Sequence, residues 1–194
     1  SKMALSALSD ELMRAEGMMM QDQNEEALEL LLRLAEDAEE YVDCNCQTTD
    51  ELQYFAFPTL FDRLAYRRVE NDPRKLEDVA EPFDRLYGDL AMAYVRTGDY
   101  ENAMNALKTA IRWNPMNCGF RLDLADLFKI AGDIREHIAL TFGVFERASE
   151  ARHLTRAFLN FAAWFEAQGR LEQAAACLRA ARRFEVKDST LEAA

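Results

Sequence analysis

Apolar positions recur every three or four residues over most of the chain, and they break at a few polar, Gly- or Pro-containing points. The rhythm is clearest from Asp84 to Asn117. There it predicts two short helices joined by the turn Thr97-Gly98-Asp99, with Pro115 closing the second. Ala91 and Ala103 are small where two antiparallel helices must approach to roughly 8–10 Å, and Tyr87 and Tyr94 fill the space beside them. Gly98 supplies the permissive backbone that ends one helix, and Asp99 is placed to cap the next. Such a pair cannot bury both faces alone and needs stacked neighbours.

The same rhythm runs on both sides. Leu5, Leu8, Leu12, Ala15 and Met19 predict a helix over 5–20, ending near Gly17 and Met18-Met19-Met20. That methionine run reads as flexible core filler, with a Met-rich docking surface as the sharper alternative. Asn24 is the expected cap of a second helix reaching about Val42, with Glu25 and Glu26 in its first turn. Residues 43–51 are polar. Tyr54, Phe55, Phe57, Phe61 and Tyr66 then crowd one stretch; a helix is expected from about Thr59 to Val69 and a short one over 73–80. These aromatics either pack on the first repeat or fold over its groove.

Residues 84–117 resemble a tetratricopeptide repeat (TPR), carried by Tyr87, Leu90, Ala91 and Tyr94, the turn Gly98-Asp99-Tyr100, and Ala103, Leu107, Ala110 and Pro115. Ala91 and Leu107 depart from the commonest letters of that family and keep an apolar role. A second unit, 118–151, places Leu124, Ala125, Phe128 and Gly132 in register, with Gly98 and Gly132 thirty-four residues apart. His137 and Val144 stand where the family has small residues, which implies a shifted second helix around a packed histidine. A third unit, 155–188, carries Phe158, Phe161, Ala162, Phe165, Gly169, Ala174, Leu178 and Ala181, and Val186 replaces the terminal Pro. The resemblance implies an all-α, TPR-like right-handed solenoid of antiparallel helix pairs. An atypical helical N-terminal region (1–82) would precede three repeats (83–188) and a short tail (189–194) expected to fray.

Composition agrees with helices: nearly half the 194 residues are hydrophobic, with only 7 Gly and 4 Pro. The net charge is −12, and residues 1–51 hold 14 Asp/Glu against 3 Lys/Arg. An acidic chain repels phosphate backbones and anionic membranes, so neither nucleic acid nor membrane is an expected partner. No run approaches the roughly 18 apolar residues of a spanning helix, and no signal peptide is evident. Cys44, Cys46, Cys118 and Cys177 are scattered, so a reducing cytoplasm is the expected setting. Cys44-x-Cys46 lacks a second ligand pair, and a metal site is not expected.

Nucleophile, phosphate-loop, dinucleotide and zinc-protease motifs are absent, and the two histidines lie sixteen residues apart. No enzyme activity and no cofactor are expected. The resemblance instead implies a concave groove lined by first-helix residues: Arg85, Gly88, Met92, Val95 and Arg96; then Gly119, Leu122, Asp126, Lys129 and Ile130; then Arg156, Leu159, Ala163, Glu166 and Ala167. Gly88 stands where a carboxylate-clamp Asn belongs, so chaperone tails are not predicted ligands. Arg85, Arg96, Lys129 and Arg156 suggest an acidic peptide partner, masking by residues 1–51, or simple pairing with neighbouring carboxylates. The expected function is a protein–protein interaction module or scaffold. Self-association into a homodimer is the alternative, and a small-ligand or enzymatic role in the aromatic 52–66 region is a further one.

Overall fold

The computed structural model describes residues 2–193, with side chains from 7 to 187. The chain forms two compact units, Ser1–Pro115 and Met116–Ala194. Both are built mainly from antiparallel helix pairs of the TPR-like kind, and the first also holds two short strands.

In the first unit α1 (Lys2–Met20) and α2 (Asn24–Asn45) form one pair, and α4 (Phe83–Arg96) and α5 (Tyr100–Trp113) form the next. Leu12, Ala15 and Met19 of α1 are buried with Ala27, Leu30 and Leu31 of α2. Asn24 does not cap α2. Gln23 holds that position without a side-chain bond, and Asn24 Nδ2 donates to Asp22 Oδ1 at 2.9 Å. Asp22 takes the left-handed conformation (φ 62°) that turns α1 into α2, so its carboxylate already sits beside Asn24. The second helix also runs past Val42 and takes in Cys44.

Between the pairs the chain is not wholly helical. β1 (Leu52–Phe55) and β2 (Lys75–Asp78) pair in parallel, Phe55 opposite Asp78, with α3 (Leu60–Val69) as the crossover. The helix expected over 73–80 is therefore a strand. Leu76 and Val79 are buried, and the ladder that fixes them lies twenty-three residues upstream at Leu52–Lys75, beyond the reach of local periodicity. α3 begins as expected, with Thr59 Oγ1 accepting from Asp62 N at 3.2 Å. A turn built on Asp72 leads into β2: Arg74 donates to both its carboxylate oxygens and Tyr66 donates its hydroxyl at 2.6 Å. Arg74 holds Asp72 well below the usual carboxylate range, while burial and then Asp72 push the Tyr66 phenol up to about 12.

This βαβ segment attaches to the end of α5. Arg112 Nη1 donates to Tyr54 O at 2.7 Å, Ala56 N donates to Trp113 O at 2.9 Å, and the Arg112 guanidinium lies 4.7 Å from the Trp113 ring centre. Trp113 in turn meets Phe83 edge-on at 5.2 Å. The aromatics of 52–66 thus divide. Phe55 stacks on Phe57 and Tyr66 packs tilted against both in the core, while Phe61 stays exposed with Leu60 and Leu64.

The second unit contains α6 (Cys118–Ile130), α7 (Ile134–Phe142), α8 (Val144–Arg147), α9 (Ala151–Ala167) and α10 (Leu171–Ala193). The second helix of the middle repeat is split at Gly143, where an added Cβ would lie 3.0 Å from Arg121 Nη1. His137 is accommodated in the core: it is buried, and its Nδ1 lies 2.7 Å from Ala125 O. Thr141 donates to His137 O at 2.8 Å and accepts from Asn160 at 3.1 Å. Gly98, Gly132 and Gly169 all have positive φ (82°, 85° and 73°), giving the three helix turns one conformation. Asp99 and Asp133 cap the following helices through Asn102 N and Glu136 N. With Val186 in place of a proline, α10 continues to Ala193 instead of ending in a frayed tail.

Candidate functional site

A repeat helix has one flank left over after packing on its own pair and its neighbours. In α4 the residues Leu86, Tyr87, Leu90, Ala91 and Ala93 are buried, whereas Arg85, Asp89, Met92 and Arg96 follow each other at helical spacing along another stripe. The corresponding stripe of α1 is Ser9, Met13, Glu16 and Met20. The two are joined by hydrogen bonds: Arg85 Nε to Glu16 Oε2 at 2.8 Å, Arg85 Nη1 to Ser9 Oγ at 3.4 Å, and Arg96 Nη1 to Met19 O at 3.4 Å. The result is a seam flanked by three exposed methionines, Met13 (61% exposed), Met20 (87%) and Met92 (45%).

Under the seam lies a three-group charge cluster. Arg85 grips both Glu16 oxygens, and its hydrogen bonds are the main cause of a lowered Glu16 pKa. Asp89 sits one turn further along α4 with Oδ2 buried and without a partner among the described residues. Burial, and after it the neighbouring Glu16 carboxyl, push Asp89 up to about 8. Two carboxyls beside one guanidinium cannot both ionise cheaply, so Asp89 keeps its proton near neutral pH.

The second unit repeats this device. Arg156, like Arg85 the second residue of its repeat, reaches from α9 to α6 and bonds Asp123 and Asp126, each at 3.0 Å. Two of the four cations expected to set charge preference are thus matched by carboxylates of the preceding first helix. Arg96 and Lys129 remain exposed, as do Leu159, Ala163 and Glu166. Leu122 does not line a surface. It is fully buried with Cys118, Val144 and Ala157, and offers nothing to a ligand. Val95 is half-buried.

Sequence reasoning placed Met92 and Arg96 on this face, offered Met20 within the methionine run as the alternative docking surface, and missed Met13, Glu16 and Asp89. The 4-3-4 spacing of Ser9, Met13, Glu16 and Met20 is a stripe in its own right, overlooked because the apolar residues of α1 fill the complementary one. Cys44 is exposed, and Cys46 is buried with its thiol pushed up by burial; no group of three potential metal ligands occurs among the described residues. No helix among those residues is long and apolar enough to cross a membrane.

Residues 84–117 match the family Tetratricopeptide repeat. The chain has no match among curated proteins. Among solved structures it is similar to a crystal structure of MamA, covering 92% of this chain and 89% of that one at 16% identity, with a TM-score of 0.48. A second MamA crystal structure covers 94% of both chains at 13% identity, with a TM-score of 0.44.

Proposed function

We propose that this chain, a tetratricopeptide-repeat protein, is a non-enzymatic interaction scaffold that holds a partner segment along the seam between α1 and α4. The observation that carries the reading is the trio Met13, Met20 and Met92. These are large, flexible apolar side chains left in solvent beside a helix pair that is otherwise well packed. Methionine adapts its shape to a range of apolar partners and gains from contact with aromatic rings. The neutralised state of Arg85 shifts the expected partner from an acidic peptide to an apolar or amphipathic segment, with at most one acidic edge facing Arg96. In α9 the exposed Ala163 holds the repeat position of Met92, with the exposed Leu159 one turn before it.

Affinity capture from cells that make the protein, beside a Met13→Glu/Met92→Glu variant of unchanged helicity, tests this. Capture by the wild type and loss by the variant is the expected result. Equal capture by both would move the partner to another surface.

A further inference from the structure

On the flank of α1 away from the methionine seam, α1, α2 and the start of α4 enclose an open groove of about 310 Å³. Leu34, Asp37, Ala38 and Tyr41 follow each other along it at helical spacing, a stripe of α2 about 10 Å long. Leu8 of α1 and Phe83 of α4 add to the apolar floor, with the Phe83 ring edge-on to Tyr41 at 6.1 Å. Ala7 and Ala38 are too small to fill the space between their helices.

The charge of this groove has one sign. Glu11, Asp37 and Glu81 line it, and no lysine or arginine does among the described residues. Glu11 meets Arg14 only at an exposed 3.5 Å contact. Glu81 Oε2 is buried and has no hydrogen-bond partner among the described residues, and burial pushes the Glu81 carboxyl up. A purely apolar occupant would leave that oxygen unmatched, at the cost of a buried polar atom without a partner. An acidic occupant would face three carboxylates. A cationic side chain satisfies all of these groups at once. Lysine and arginine suit the place because their stems pack on apolar surface while the charged head pairs with a carboxylate. Tyr41, 43% exposed, offers a ring face to the same cation.

We propose that this groove docks a basic amphipathic helix of a partner protein. Two apolar side chains one turn apart enter against Leu8, Leu34 and Tyr41, and a lysine or arginine beside them meets Glu81, with Glu11 and Asp37 at the edge. A stripe of two turns on α2 matches the spacing at which a docked helix presents such anchors. The groove uses Ala7, Leu8 and Glu11 of α1, which fall on the other side of that helix from Ser9, Met13, Glu16 and Met20. This second docking surface therefore stands or falls independently of the methionine seam. It also gives the acidic first quarter of the chain a partner of opposite charge.

Fluorescence anisotropy of labelled synthetic peptides titrated with the full chain tests the proposal. The probes are an amphipathic Leu/Lys helix, a Leu/Glu helix of the same pattern, and a Gly/Lys peptide of the same charge without anchors. Saturable binding of the Leu/Lys helix alone is expected, weakening as salt rises. Glu11→Lys/Asp37→Lys should weaken it by about tenfold or more. Glu29→Lys/Glu36→Lys makes the same change of net charge on exposed positions of α2 outside the groove, and should leave it nearly unchanged. Amide exchange on the wild type with the Leu/Lys helix bound should add protection at residues 7–11 and 34–41, a readout that needs no variant. Equal weakening in the two charge variants, or equal binding of the Gly/Lys peptide, would reduce the contact to general charge attraction and overturn the proposal. No saturable binding, binding of the Leu/Glu helix, or protection confined to other residues would also overturn it.

Discussion

Arg85 and Glu16 face each other across sixty-nine residues of sequence, with Arg85 Nε donating to Glu16 Oε2 and Nη2 to Oε1. This contact joins the first helix of the atypical N-terminal pair to the first helix of the recognisable repeat. Arg156 makes the same backward reach to Asp123 and Asp126. At Arg85 and Arg156 a cation at the second repeat position staples first helices together.

Removing that staple gives a measurable loss. The Arg85 and Glu16 side chains are 37% and 33% exposed, so water screens the pair, and its worth is about 1 kcal/mol. A double-mutant cycle of Arg85→Ala and Glu16→Ala in urea unfolding should give a coupling energy of about 0.5–1 kcal/mol. The single Arg85→Ala change should cost more than the coupling energy, because it leaves Glu16 and Asp89 side by side without their shared cation.

The pH dependence follows from Asp89. Its folded pKa of about 8 lies above the ordinary carboxylate value of 3.8, so the folded state holds an extra proton between them. Its contribution is therefore most favourable at low pH, falls as pH rises through that window and levels off above about 8. Glu16 is lowered and acts oppositely: its contribution is present above 4.5 and is lost as pH falls through its folded value. Urea midpoints should drop between about pH 6.5 and pH 8.5, by on the order of 1–3 kcal/mol in stability, and Asp89→Asn should flatten the slope. A wild type and Asp89→Asn variant with parallel profiles would contradict this.

The positive-φ turns make a separate prediction. Nothing lies within 4 Å of a Cβ added at Gly98 (φ 82°), so Gly98→Ala costs only backbone strain, about 1–2 kcal/mol. Thermal unfolding would check it, and a neutral substitution would contradict the left-handed assignment.

His137 offers a core test. It fills a position where the repeat wants a small residue and holds Ala125 O at 2.7 Å. His137→Ala should destabilise the second unit by about 2–4 kcal/mol through the cavity left, despite restoring the family's letter. A stabilised variant in chemical denaturation would contradict that account.

Much of this was legible in the residues, and the exceptions share a cause. The Gly98-Asp99 turn, the Thr59 cap and the burial of His137 are local, and local patterns found them. Local periodicity predicts a helix where β2 forms, because the partner strand is remote. Repeat position assigns Leu122 to the groove, whereas the structure buries it with Val144, which follows the break at Gly143. Arg85 and Arg156 looked like ligand-seeking cations because their carboxylates sit 69 and 30–33 residues away. Contacts between helices separate a surface charge from a free one, and spacing alone does not carry them.

The most direct test of the scaffold reading is amide hydrogen exchange on the protein alone and with its captured partner bound. New protection over residues 9–20 and 85–96 is the predicted result, with α3 and the βαβ segment unchanged. Protection confined to α3, or to the second unit, would contradict the methionine seam as the working surface.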